Sequence, residues 1–321
     1  MFRKNIGIDI GTTQISICTA EDGLLLKEPS VAAVLLDTDE VVEAGTAALQ
    51  MVEAHPDKYR LCWPVWDPVV KCADILSAML RLLLRRAIGR TAWKPQIMLS
   101  IPCDLTEAQA NAVEDAALAA GAAKAHLLEA PICAALGAGV DFSTPVGRMI
   151  VHMGASRTEI AVIFIGEMVA HMTVPTGGAQ FDSAIIQHLR SKHKLLIGKK
   201  TAEQIKIRLL TVKDQEPRTL NVKGRCMETK EPRIVTLSSR EMLGAISETL
   251  AEVMDGIVTT LDHIGDDMRA DIVKEGILLT GAGVLNGFDW FLNQLFKVRV
   301  QIADNAAIAA VEGAALALSR L

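Results

Sequence analysis

The feature that most constrains this chain is a repeated strand–turn–strand. Residues 6–13, Ile-Gly-Ile-Asp-Ile-Gly-Thr-Thr, form an apolar run closed by a Gly/Thr turn, and Ile15-Ser16-Ile17-Cys18 alternates as its return strand. The pattern recurs at Met149-Ile150-Val151-His152-Met153-Gly154-Ala155-Ser156-Arg157-Thr158, followed by Glu159-Ile160-Ala161-Val162. His152 falls where Asp9 falls, Gly154 where Gly11 does, and Ser156 where Thr13 does. A duplicated hairpin at the head of each half predicts two similar α/β domains facing one another across a cleft. The 321 residues suffice for about two domains of ordinary size.

Composition removes several function classes. The net charge is -5 and aromatics make up 4% of residues, so the chain has neither the basic stripe nor the stacking platform expected of a nucleic-acid binder. No run of about 20 apolar residues predicts a membrane span. The N-terminus leads directly into a strand, with no apolar signal segment expected. Six cysteines lie scattered in apolar segments without a C-x-x-C pair, which reads as reduced core thiols in a cytosolic protein.

Between the repeats the sequence alternates strands and helices. A Leu-rich helix is expected over 69–86 and a strand over 96–101. Thr106-x-x-Gln109 is a capping box opening an Ala-rich helix that Gly121 ends. In the second half, Gly177-Gly178 turns into a helix reaching His193. Thr201-x-x-Gln204 reads as a second capping box, and Ser238-x-x-Glu241 as the cap of one long helix ending near His263. Residues 211–237 look like a small strand-rich insertion, and an Ala-rich helix closes the chain.

Three glycine turns end strands: Asp9-x-Gly11-Thr12-Thr13, Gly154-Ala155-Ser156 and Gly281-Ala282-Gly283. Such turns expose backbone N–H groups suited to phosphate oxygens, although ordinary hairpins use the same residues. Asp9, at a strand end, could hold water on a metal that bridges phosphates. No G-x-x-x-x-G-K-[ST] motif is present, so a P-loop is excluded.

Longer segments carry a resemblance. They are Gly7-Ile-Asp9-Ile-Gly11-Thr12, Glu28-Pro29-Ser30-Val31, Ile101-Pro102 with the Thr106 helix, and Glu129-Ala-Pro131-Ile-Cys-Ala134-Ala135-Leu-Gly137-Ala-Gly139. Thr158-Glu159-Ile-Ala-Val162, Ile197-Gly198-x-x-Thr201-Ala202-Glu203-Gln-Ile205-Lys206 and Gly276-Ile-Leu-Leu-Thr280-Gly281 complete the set. Over nearly the whole chain these resemble the actin-like ATPases, and within them the bacterial MreB/Mbl rod-shape proteins. The resemblance implies an α/β actin-like fold of the duplicated ribonuclease H type, with two domains and smaller subdomains around a nucleotide cleft. Domain I would span 1–145, with a subdomain over about 33–65 and the closing helix 305–321 packed back on it. Domain II would span 146–304, with a subdomain over about 183–240.

The same resemblance implies ATP or ADP with Mg2+. Asp9, Gly11, Thr12 and Thr13 match its first phosphate hairpin, and Gly154, Ala155, Ser156, Arg157 and Thr158 its second. Glu203 and Lys206, one turn apart on a helix, match contacts to ribose and adenine. Gly281, Ala282 and Gly283 match the turn under the adenosine, and Gly177-Gly178 a turn near the ribose. The departures lie in the chemistry. His152 stands where the family has the Asp of the second hairpin, and Ala130 where it has the Glu that positions the attacking water. Ala cannot orient water or take a proton, and Glu129, its neighbour, points elsewhere. Glu129 and Thr158 are the remaining catalytic candidates. Impaired hydrolysis is therefore expected, through a degenerate site or through one rebuilt around Arg157 and a protonated His152.

Family membership further implies a self-assembling filament, with paired protofilaments, working with a cell-wall synthesis complex at the inner face of the cell membrane. The stretch 82–94, with Arg85, Arg86, Arg90 and Lys94, offers Ile88 and Trp93 as membrane-contacting side chains. The competing class is a non-polymerising actin-fold adaptor or a chaperone-like protein, the latter expected to carry a substrate-binding domain after the closing helix.

Overall fold

Alternation places Ile6, Ile8, Ile15 and Ile17 on buried positions of the opening hairpin, and all four are fully shielded from solvent. In the computed structural model, which describes residues 5–66, 69–70, 72–89, 94–213, 216 and 218–320, strand Asn5–Ile10 pairs antiparallel with Gln14–Thr19. Arg148–Met153 pairs in the same way with Thr158–Phe164. Asp9 lies opposite Ser16, and His152 opposite Glu159. Each turn closes with the same backbone bond, Gly11 N–H to the Gln14 carbonyl at 2.9 Å and Gly154 N–H to the Arg157 carbonyl at 2.8 Å. The two hairpins are thus equivalent residue by residue.

Each seeds a five-stranded sheet. One runs Gly23–Pro29, Gln14–Thr19, Asn5–Ile10, Gln96–Ile101, Lys124–Glu129, and the other Glu167–Val174, Thr158–Phe164, Arg148–Met153, Ile277–Thr280, Val300–Ile302. Numbered in chain order within each sheet, both read 3-2-1-4-5, an antiparallel meander extended by two parallel strands. Parallel additions need crossover connections, which Ala73–Ile88 and Glu107–Ala120 supply in the first sheet. Two compact units result, Met1–Thr144 with Ala303–Leu321, and Pro145–Ile302. Each adds a small three-stranded sheet: Ala32–Leu35, Val41–Ala44 and Tyr59–Cys62 in the first, Leu195–Leu196, Thr219–Cys226 and Pro232–Ser238 in the second.

Local signals read well where the partners are close in sequence. Thr106 and Gln109 form the reciprocal capping box, and Gly121 ends that helix at φ 117°. Three expectations are corrected. The Leu-rich helix is Ala73–Ile88, because Val69–Val70 instead pairs as a strand with Val65–Trp66. The helix Lys199–Leu209 starts after Gly198, so Thr201 lies inside it and caps nothing. The stretch after Ser238 is two helices, Ser239–Ala245 and Ser247–Asp262. Ile246 breaks them: its N–H is shared between the Met242 and Leu243 carbonyls, and its side chain is fully buried.

The terminal helix Ala309–Ser319 belongs to the first unit and lies against Asn5–Ile10 and Ala130–Gly137. This contact is made backbone to backbone. A Cβ on Gly313 would run into the Cys133 carbonyl, and one on Gly7 into the Val311 carbonyl and Ala315 N. Gly313→Ala should therefore cost about 1–3 kcal/mol through overpacking, read as a fall in melting temperature. Gly244→Ala, in an open helical position with nothing within 4 Å, should be neutral or gain up to about 1 kcal/mol.

Candidate functional site

In the first unit Asp9 sits one residue from the end of its strand, in register with Ser100 on the neighbouring parallel strand. Burial pushes its carboxyl up from 3.8 to about 6, opposed by Ser100 and by the positive charge of Lys27. After Asp9 the chain turns through Gly11, half-buried Thr12 and exposed Thr13, whose carbonyl accepts from Ser30 N–H at 3.0 Å. Glu129 ends strand Lys124–Glu129 and stands at the N-cap position of helix Ala130–Gly137 without a side-chain capping bond, and Ala130 is the first, buried residue of that helix. Cys133, one turn into that helix, is buried, and its thiol is pushed well up by desolvation, with Asp9 and then Glu129 adding to the shift. Asp9, the Glu129–Ala130 step and Cys133 therefore share one neighbourhood.

The second unit brings two distant segments onto one turn. The Gly154 carbonyl accepts from Gly178 N–H at 3.0 Å, and the Ala155 carbonyl from Ala179 N–H at 2.7 Å, which docks the start of helix Gly178–Lys192 on the hairpin. Gly283 N–H donates to the Met153 carbonyl at 2.9 Å. These approaches need bare backbone: a Cβ on Gly177 would lie 2.7 Å from both Arg157 N and the Gly154 carbonyl, and one on Gly283 would strike that carbonyl. Gly281 is buried, and Ala282 between the two glycines is exposed. Ser156 and Arg157 are half-buried at the turn.

Lys206 completes the cluster. Its ammonium donates to the Gly178 carbonyl at 2.7 Å and lies 2.9 Å from Asp182 Oδ1, with both side chains largely buried. Burial raises the Asp182 carboxyl, Lys206 opposes this, and Glu203, exposed one turn earlier, adds to it. Asp182 was not among the expected residues. The pair is separated by a helix and a loop, and only spatial proximity reveals it. Expected residues Gly154, Ala155, Ser156, Arg157, Gly177, Gly178, Lys206, Gly281, Ala282 and Gly283 thus meet within one unit.

The equivalence of Asp9 and His152 extends to their partners. His152 Nδ1 lies 3.0 Å from Thr280 Oγ1, in the register position that Ser100 holds beside Asp9. Burial lowers the imidazole from 6.5 to about 4, so His152 is neutral at pH 7. The protonated His152 of the rebuilt-site reading is corrected accordingly: desolvation leaves Arg157 as the cation of that turn. Thr158 is fully buried, and its hydroxyl donates to the Thr176 carbonyl at 2.7 Å, which ties the hairpin to the segment leading into helix Gly178–Lys192. Ile88, the last residue of its helix, is partly buried against the first unit's core and lines a hollow of about 530 Å³ with Arg81, Arg85 and Lys94. Trp93 lies outside the described residues. No described helix is long and apolar enough to cross a membrane.

Duplicated 3-2-1-4-5 sheets, each opened by a glycine hairpin, make this an actin-like fold. Structural neighbours agree. MreB 5 of Spiroplasma citri bound to AMPPNP superposes with a TM-score of 0.89 at 26% identity, covering 98% of this chain and 96% of that one. A MamK double helical filament gives 0.82 over both full chains at 15% identity, which speaks to the fold alone. The MreB/Mbl protein family model matches residues 3–321. The cell shape-determining protein Mbl of Bacillus subtilis is 33% identical over 308 residues, 95% of this chain and 92% of the relative. MreB of Escherichia coli K12 is 31% identical, covering 100% of this chain and 95% of the relative. The chain belongs to the MreB/Mbl family.

The two shifted groups make opposite demands on pH. Asp9 binds its proton more tightly folded than unfolded, so its ionised form costs stability above about pH 6, and the cost vanishes below 3.8. His152 binds its proton less tightly when folded, so stability is lost as pH falls from 6.5 to about 4. Asp9→Asn should raise the melting temperature at pH 8 and leave it unchanged at pH 3.5. His152→Gln should flatten the decline between pH 6.5 and 4. Thermal scans across pH check both.

Proposed function

We propose that this chain is a nucleotide-binding cytoskeletal subunit of the MreB/Mbl type that supports cell shape and hydrolyses ATP poorly. The observation carrying this reading is the unequal pair of hairpins: the first keeps a desolvated carboxylate at Asp9, while the second has neutral His152 at the equivalent position. The nucleotide-bound state of the Spiroplasma citri relative, solved with AMPPNP and with ADP, supports binding of ATP or ADP here.

Each turn taken by itself would offer backbone N–H groups to phosphate oxygens, Gly11–Thr13 in the first unit and Gly154–Arg157 in the second, where Arg157 adds positive charge in a geometry suited to phosphate. Glu203 and Lys206 would face the ribose and base. Lys206 already spends donors on Gly178 and Asp182, so it acts chiefly by holding the Gly177–Gly178 turn. Magnesium, when bound, neutralises phosphate charge. Asp9 fits it, because a carboxylate pushed up by burial is relieved by a nearby cation, through a water. His152 does not fit, since a neutral imidazole is a poor partner for the oxygen-seeking water shell of this ion. Ala130 offers no atom to orient an attacking water or accept its proton. Binding is retained in this reading and hydrolysis is slowed.

Self-assembly into paired filaments, a cytoplasmic location at the inner face of the membrane and association with cell-wall synthesis complete the proposal. They rest on the cell shape-determining relatives and on the cationic hollow beside Ile88.

Four measurements test it. ATP should raise the melting temperature of the protein while phosphate release stays slow. Ala130→Glu combined with His152→Asp should recover part of the roughly 10²–10⁴-fold that a positioned acid–base group supplies, with each single change doing less. A wild type that already turns over ATP as fast as an intact relative would refute the impaired-hydrolysis reading. Sedimentation with negative-stain microscopy should show filaments at micromolar protein. Monomers persisting with ATP, without it and with anionic liposomes would favour a non-polymerising adaptor. Arg85→Glu with Lys94→Glu should reduce co-sedimentation with those liposomes; unchanged binding would refute membrane contact at this hollow.

A further inference from the structure

Away from the hairpins, the second unit gathers two histidines and a glutamate that the nucleotide reading does not use. His188 lies near the end of helix Gly178–Lys192, and His193 is its C-cap. Glu241 is in the first turn of helix Ser239–Ala245. His188 Nε2 lies 2.8 Å and His193 Nε2 2.7 Å from the same oxygen, Glu241 Oε1. The three potential ligand atoms all fall within 4.8 Å of one another. Lys192 Nζ also reaches Oε1, at 2.9 Å.

Two imidazoles converging with their Nε2 atoms on one carboxylate oxygen form more than a surface ion pair. The three side chains are 22%, 21% and 15% exposed, whereas Lys192 is 58% exposed and can turn into solvent. Their backbones are fixed. Arg233 Nη2 donates to the His193 carbonyl, and the Ser238 hydroxyl accepts from Glu241 N–H at 3.2 Å. With metal–ligand bonds of about 2.0–2.2 Å, ligand atoms around one tetrahedral ion stand roughly 3.3 Å apart. The observed N···O spacings need to open by only about half an ångström, a small rotamer adjustment.

We propose that His188, His193 and Glu241 bind a divalent transition-metal ion of the zinc type. Two imidazole nitrogens and one carboxylate oxygen suit Zn2+ or Co2+, and do not suit Mg2+ or Ca2+, which take oxygen ligands. Three protein ligands leave a fourth position to water. The ion would staple the C-terminal end of helix Gly178–Lys192 to the helix that follows strand Pro232–Ser238. The other end of the first helix carries the Gly178 and Ala179 N–H groups docked on the second hairpin, so the staple would steady that turn from behind.

The test uses the full chain, stripped with chelator and free of nucleotide. Zn2+ should bind at one equivalent and raise the melting temperature, and Co2+ should give visible d–d absorption of a site with nitrogen and oxygen ligands. An excess of Mg2+ should not displace either. His193→Ala and Glu241→Gln should each weaken Zn2+ binding by at least about tenfold, the smaller end of what losing even an outer-shell partner of a metal ligand costs. Glu241→Gln keeps the side-chain shape, which separates loss of a ligand from loss of the fold. Lys192→Ala removes the competing cation and should bind Zn2+ as tightly as the wild type or more tightly. The proposal is overturned if no one-to-one Zn2+ binding occurs at micromolar metal. It is equally overturned if both ligand variants bind as the wild type does, or if Lys192→Ala loses binding as fully as His193→Ala. The last result would mark a hydrogen-bonded cluster centred on Glu241.

Discussion

The first unit depends on backbone contact between a helix at the end of the chain and a strand at its start. Where Gly313 meets the Cys133 carbonyl and Gly7 meets Val311 and Ala315, no side chain intervenes. Such contacts are either made at full van der Waals density or lost, because a single methyl has nowhere to go. They fix the position of the strand that carries Asp9, two residues beyond Gly7, and of the helix that Ala130 opens. The geometry around Asp9 and Ala130 in this unit is therefore set by glycines packed against backbone.

The second unit solves the same problem with a turn in place of a helix. Carbonyls of Met153, Gly154 and Ala155 are each taken by an N–H from a remote segment. The hairpin is held by hydrogen bonds that water would otherwise compete for, and Gly177 and Gly283 are the positions where the segments come too close for a Cβ. Charge at this site is secondary to backbone placement. Lys206, which has the look of a ligand-binding cation in the sequence, already neutralises Asp182 and grips Gly178.

Much of this was legible because it is local or repeated. The hairpins could be aligned from their glycines and alternation, the Thr106 box needs only four residues, and within the second unit the motifs around Gly154 and Gly281 fall on segments that hydrogen bonds join. The failures are equally physical. Thr201-x-x-Gln204 has the letters of a cap, but Gly198 supplies the extended residue that starts the helix three positions earlier. The break at Ile246 has no Pro and only Gly244 two residues before it, too weak a signal to place it, and the buried Ile246 side chain sits at the junction of the two helices. Asp182 beside Lys206, and Glu241 beside His188 and His193, join residues far apart in the chain, where no periodicity could pair them. Thr158 shows the converse: a hydroxyl in a phosphate-turn motif can be spent on the backbone of a nearby loop.

His152 explains how one half of a duplicated site can change its chemistry without losing its shape. At the equivalent place Asp9 is a carboxylate beside the Ser100 strand position, carrying a charge that burial resists. The imidazole keeps a polar atom 3.0 Å from the corresponding Thr280 hydroxyl, so the strand register and the local hydrogen bond persist. It carries no charge at neutral pH, so the desolvation cost that Asp9 bears disappears from the second hairpin. An imidazole at this position avoids the cost to folding that a buried carboxylate carries, and it leaves the strand register in place. The backbone cradle of the second hairpin therefore needs no charged group at position 152, because N–H groups of other segments hold the Met153, Gly154 and Ala155 carbonyls whatever side chain stands there.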